Sequence, residues 1–129
     1  GETDDFAHDG KYDQYILAAN RTDSFIREIW DTIQTTEGYR DNTVLFVSVD
    51  HGRGDLPLET WRYHGEEIAG SEAVWMAAMG PNISNSGLIN TGSECVGSNG
   101  IAATLLKILG EDYMKLNPKM GSPIGHFLE

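Results

Sequence analysis

The sequence predicts an α/β fold, and three observations predict it. A long amphipathic helix pattern covers Tyr12 to Thr35. An unbroken apolar run follows at Val44 to Val49. A second apolar run at Ala73 to Met79 precedes another helix pattern. Helix, strand, loop, strand, helix is the alternation of a layered, parallel-type sheet with flanking helices. Only two strands are legible, and parallel sheets normally have more, so further strands are expected from residues outside this chain. The 129 residues suit one domain or a piece of one, taken here as a single unit 1–129.

Each element has its own justification. In the first helix Ile16, Ala19, Ile26, Ile29, Trp30 and Ile33 recur at helical spacings. Asp13, Asn20, Arg21, Asp23, Arg27 and Glu28 fill the other face, and Gly38 marks the end. Val44 to Val49 is apolar without alternation, as a strand covered on both faces would be. Residues 52–72 are rich in Gly, Pro and charge and read as a long loop of the functional kind. The second strand stops at Gly80-Pro81, and a Gly, Ser and Asn connection spans 82–98. Asn99 to Leu109 reads as a helix with Ile101, Leu105, Ile108 and Leu109 inward and Gly110 as its stop. The Pro- and Gly-rich tail from Asn117 is expected to wrap the surface.

Composition narrows the function. Nine Lys and Arg against 20 Asp and Glu give a net charge of −11. No basic stripe exists to bind a nucleic-acid backbone or an anionic membrane. No apolar run is long enough to be a membrane segment. The one cysteine, Cys95, excludes an internal disulfide and a cysteine-rich zinc site, and reads as an inert or partly buried thiol.

Three clusters carry candidate chemistry: Asp4-Asp5-Phe6-Ala7-His8, Asp50-His51 at the end of the first strand, and His64 in Trp61-Arg62-Tyr63-His64-Gly65. Ligands of open α/β sheets bind at the carboxyl ends of strands, where Asp50 and His51 fall. Imidazole and carboxylate are the donor types for Zn²⁺ or Mn²⁺. Neighbouring residues on extended backbone point in opposite directions, so Asp50 and His51 need either two neighbouring ions or a bent strand end. Gly52 permits the bend and a close backbone approach. Each cluster also has a plain alternative: a frayed terminus, an ordinary turn, a packed loop histidine. Arg53 and Arg62 suit contact with an anionic substrate, or are simply surface arginines. His126 in the tail is unassigned.

These residues resemble the alkaline phosphatase superfamily, in its phosphodiesterase and cofactor-independent phosphoglycerate mutase branch. The resemblance rests on D-x-x-x-H at Asp4 to His8, the strand and Asp-His-Gly of Val44 to Gly52, and His64-Gly65, in that order. Val74 to Met79 with Gly80-Pro81, and Gly100 to Leu106, fit it too. It implies two divalent ions, Zn²⁺ or Mn²⁺, with Asp4, His8 and His64 on one and Asp50 and His51 on the other, and Asp5 behind them. It implies hydrolysis of a small anionic phosphate ester. The family's nucleophilic Ser or Thr, and another ligating Asp, precede the D-x-x-x-H motif. The chain is thus expected to be the C-terminal portion of such an enzyme, inactive without its N-terminal half, with the parent periplasmic or secreted. Two other readings remain. One is a fragment of a sulfatase-like enzyme, which would use Ca²⁺. The other is a non-catalytic α/β domain with a vestigial metal site.

Overall fold

Helices dominate residues 1–89, 91 and 95–128, which are the residues this computed structural model describes. The chain falls into two units, Gly1–Ala77 and Ala78–Glu129. The first unit opens with a helix the sequence reading did not draw, α1 (Glu2–His8). Glu2, Asp4 and Asp5 lie in its first turn and His8 in its last, the arrangement that favours the helix dipole. Gly10, at φ +71, ends it. The Gly10 amide donates to Ala7 and the Lys11 amide to Phe6, at 2.8 and 2.9 Å. This paired closure satisfies two carbonyls that a helix end leaves open.

The turn sends the chain into α2 (Tyr12–Thr35), whose bounds match the sequence expectation. α1 and α2 pack together, and the side chains they close off are small: Ala7 is 0% exposed and Ala18 2%. The buried stripe is narrower than expected. Tyr15, Ile26, Trp30 and Ile33 are half-buried, whereas Ile16, Ala19 and Ile29 are exposed. Helical periodicity identifies which residues share a face, but only a packing partner closes that face, and α1 covers one part of it.

β1 (Leu45–Ser48) and β2 (Met76–Met79) form a two-stranded sheet, each strand half-buried throughout rather than covered on both faces. Between the strands the chain folds back on itself. The Ser48 hydroxyl donates to Trp75 O at 3.1 Å, the Gly52 amide to Ser71 O at 2.8 Å and the Asp55 amide to Ala69 O at 3.3 Å. The paired positions step in opposite directions, so the segment leaving β1 runs antiparallel to the one approaching β2. Inside this return lies a 3-10 helix at Leu58–Arg62. Trp61 from that helix meets Tyr12 and Tyr15 of α2 edge-on, at 5.3 and 5.8 Å between ring centres. Edge-on aromatic contacts of this kind favour one geometry over a loose apolar contact.

The second unit is built on α3 (Ile101–Ile108), preceded by a 3-10 turn at Ser98–Gly100. Gly110 (φ +78) stops α3 with the same paired closure as α1, its amide donating to Lys107 and that of Glu111 to Leu106. The buried face differs from the expected one. Ala103 and Thr104 are 0% exposed, while Leu105 and Leu109 are exposed. The cause is the tail, which packs into this unit instead of skirting it. A Cβ on Gly100 would stand 2.7 Å from Ser122 O, and one on Gly121 2.6 Å from Asn99 O. Backbone this close leaves room for small side chains only. Ile83 and Ile124 complete this core, at 7% and 6% exposure. A short helix, α4 (Tyr113–Leu116), is capped by the Asp112 carboxylate accepting from the Met114 amide. Cys95 is exposed, which corrects the partly buried half of the expectation. No helix among the described residues is long and apolar enough to cross a membrane.

The Thr104 hydroxyl donates to Gly100 O at 2.7 Å and accepts from the Ile124 amide at 2.8 Å, fully enclosed. Thr104→Val keeps the shape and orphans both partners. It is expected to lower unfolding stability by about 1–3 kcal/mol in urea titration. An unchanged midpoint would show that the buried hydroxyl contributes nothing.

Candidate metal centre

The first cluster is assembled by one turn of helix. Asp4 and His8 are four residues apart in α1 and so share a face, with His8 Nε2 3.4 Å from Asp4 Oδ1. The second arrives from the end of β1. Gly52 follows His51, and a Cβ there would lie 2.2 Å from Gly70 O and 2.6 Å from Ala73 O. The glycine is required by close backbone approach, as the sequence suggested, and this approach presses the His51 segment against the returning chain. The third comes from the loop. The Gly54 amide donates to Tyr63 O at 3.1 Å, which pins the residue before His64. The result is that the imidazoles of His51 and His64 stack, 3.6 Å apart and 16° from parallel.

All three histidines turn Nε2 toward Asp4 Oδ1, at 3.4 Å for His8, 3.9 Å for His51 and 3.6 Å for His64. Donor atoms around a tetrahedral zinc ion, each about 2.0–2.1 Å from it, lie roughly 3.4 Å from one another. Asp4, His51 and His64 form the donor set whose ligand atoms all fall within 4.8 Å of one another, and all three are partly shielded from solvent. The donor chemistry fits as well. His51 Nδ1 contacts Gly52 O at 2.9 Å. A carbonyl can only accept, so Nδ1 carries a proton, which leaves Nε2 as the nitrogen that would offer a lone pair to a bound ion.

The grouping differs in part from the pairing the resemblance implies. His51 takes the place expected of His8: Asp4, His51 and His64 form one donor set, while His8 Nε2 lies 3.4 Å from Asp4 Oδ1 but its nitrogens stand outside that set. Asp50 stays beside His51, its Oδ1 accepting from the His51 amide at 3.0 Å and lying 3.7 Å from His51 Nε2, but its side chain is 89% exposed. Asp5 is exposed. His126 belongs to the second unit.

The two arginines have specific partners. Arg53 donates to Asp4 Oδ1, the oxygen the imidazoles face, and its other terminal nitrogen donates to Arg62 O at 3.3 Å. Arg62 donates to His8 O through Nη2 and Nε, at 2.7 and 3.3 Å, and so caps the end of α1. Sequence reading found both arginines but not these partners, 49 and 54 residues away. Partial burial pushes the Asp4 carboxyl up, but the Arg53 hydrogen bond and charge, with the charges of His8 and His64, outweigh it and hold it below its ordinary value. A shallow cavity beside the cluster is bounded by Asp4, His51, Arg53, Tyr15, Ile26 and Trp75.

Two outcomes are expected. Gly52→Ala should cost at least about 1–3 kcal/mol in urea unfolding, since its Cβ meets backbone and not a yielding side chain. Asp4 also gives the chain an acid-sensitive component of stability. Its folded pKa lies below its unfolded value of about 3.9. The stabilisation is therefore present above about pH 4 and is lost as pH falls through the still lower folded value. Asp4→Asn should remove this component, seen as a flatter urea midpoint between about pH 5 and pH 3. An equal acid slope in the variant would assign the loss to other carboxylates.

No family model, no curated protein and no solved structure matches this chain.

Proposed function

We propose that this chain is the metal-binding portion of a metal-dependent phosphoester hydrolase of the alkaline phosphatase type. The observation that carries the reading is the convergence of His8, His51 and His64 on one oxygen of Asp4, from a helix, a strand end and a loop. Their order along the chain is that of the resembled family. Bound Zn²⁺ or Mn²⁺ would neutralise charge on the ester oxygens and activate an attacking hydroxyl. The residues of this chain hold and orient. Gly52 and Gly54 seat His51 and His64, Arg62 secures the turn bearing His8, and Arg53 offers a cation beside an anionic ester.

The donor set supports zinc or manganese over calcium. Calcium sites take six to eight oxygens, whereas this donor set offers two imidazoles and one carboxylate, with the His8 imidazole beside them. That favours a phosphate-ester enzyme over the sulfatase-like alternative. The two-ion expectation rests on the resemblance, in which metal pairs stand on the order of 4 Å apart. In this reading the second ion takes His51 and Asp50, completed by residues outside this chain, as is the nucleophile. The exposed apolar side chains of α2, Ile16, Leu17, Phe25 and Ile29, are the kind of surface the rest of such a domain would cover.

The test is hydrolysis of a chromogenic phosphodiester, beside a chromogenic sulfate ester, by the full-length parent with and without His51→Ala. The parent should prefer the phosphodiester, be silenced by chelators and lose at least about 100-fold in rate with the substitution. Retained activity in the variant would sink the assignment.

A further inference from the structure

We infer that Arg53 is a built-in competitor of the metal ion, setting how tightly the centre holds it; the inference rests on the metal reading above. The guanidinium and the imidazoles share one acceptor. Arg53 donates to Asp4 Oδ1, the same oxygen that lies 3.4 to 3.9 Å from the Nε2 atoms of His8, His64 and His51. An ion taking that oxygen in the company of the histidines would meet the Arg53 charge at contact distance. Two cations cannot hold one carboxylate oxygen so closely without repulsion, even with the Asp4 side chain 30% exposed.

Arg53 is not free to drift aside. Its side chain is only 15% exposed, it donates to Arg62 O at 3.3 Å, and its guanidinium lies 6.0 Å from the Tyr15 ring centre. Its backbone is held between Gly52, bonded to Ser71 O, and Gly54, bonded to Tyr63 O. The other ion pairs of this unit differ. Arg21 with Glu2, and Lys11 with Asp9, join side chains that are half exposed or more, where solvent competes freely. Metal loading therefore has to displace Arg53 from Asp4, and the displaced guanidinium stays within the loop beside the cluster. Arg53 is thus a positioning residue. It keeps Asp4 neutralised and aimed at the histidines, and it weakens the centre's affinity for a cation.

The experiment is calorimetric titration of this chain with zinc alone at near-neutral pH, for the wild type, Arg53→Gln and the control Arg21→Gln. In parallel, the Arg53 side-chain Nε–H resonance of the wild type is followed through the zinc titration. The expected result is at least about tenfold tighter zinc binding by Arg53→Gln, no change with Arg21→Gln, and a shift of the Arg53 resonance that saturates with zinc. Equal or weaker binding by a folded Arg53→Gln, with wild-type binding intact, would overturn the inference and leave the metal reading standing. If Arg53→Gln fails to fold, the resonance decides: a signal that stays put while zinc binds overturns the inference. Absence of zinc binding by both wild type and Arg53→Gln would overturn the metal reading and this inference together.

Discussion

The first unit depends on one carboxylate oxygen. Asp4 Oδ1 accepts from Arg53 and faces the imidazoles of His8, His51 and His64. Four nitrogen-bearing side chains crowd this one oxygen. A single partly shielded acid lets them share a site. Its pairing with Arg53 matters more than the exposed pairs, because solvent competes with Arg21–Glu2 and Lys11–Asp9, and exposed pairs typically contribute about 0–1 kcal/mol.

The oxygen is useful only because backbone packing brings distant segments to it. Gly52 and Gly54 sit where a Cβ would collide, the first with backbone carbonyls of the returning chain and the second with Thr60. Their amides bond that returning chain, and His64 is carried in beside His51. Arg62 then ties the same loop to the carbonyl of His8. Loop residues thus acquire the fixed placement that binding needs, by hydrogen bonds to backbone and not by regular secondary structure. Trp61 adds an aromatic anchor on α2, so the loop is held at both its glycine stem and its helical tip.

Much of the secondary structure was legible. The 24-residue α2 and both strands lie where the apolar patterns put them, and Gly110 stops α3 as expected. Local order is written in local residues: periodicity, a glycine able to take positive φ, an acid ahead of a helix. α1 was missed although its signal was present. The spacing of four between Asp4 and His8, with acids leading and a histidine trailing, is that of a helical turn. The inward faces of α2 and α3 were only partly right, because burial depends on what packs against a helix and not on the helix alone.

By itself, the sequence determined which residues have metal-binding chemistry: an acid and histidine one helical turn apart, an Asp-His pair at a strand end, and a histidine between a tyrosine and a glycine. Only the tertiary structure decided which of them meet. It stacked His51 on His64, left Asp50 in solvent, gave Arg53 to Asp4 and gave Arg62 to the carbonyl of His8. The reason is physical. Donor type is a property of one side chain, whereas a shared oxygen is a property of segments about 50 residues apart, brought together by glycine-permitted backbone contact that leaves no periodic trace in the chain.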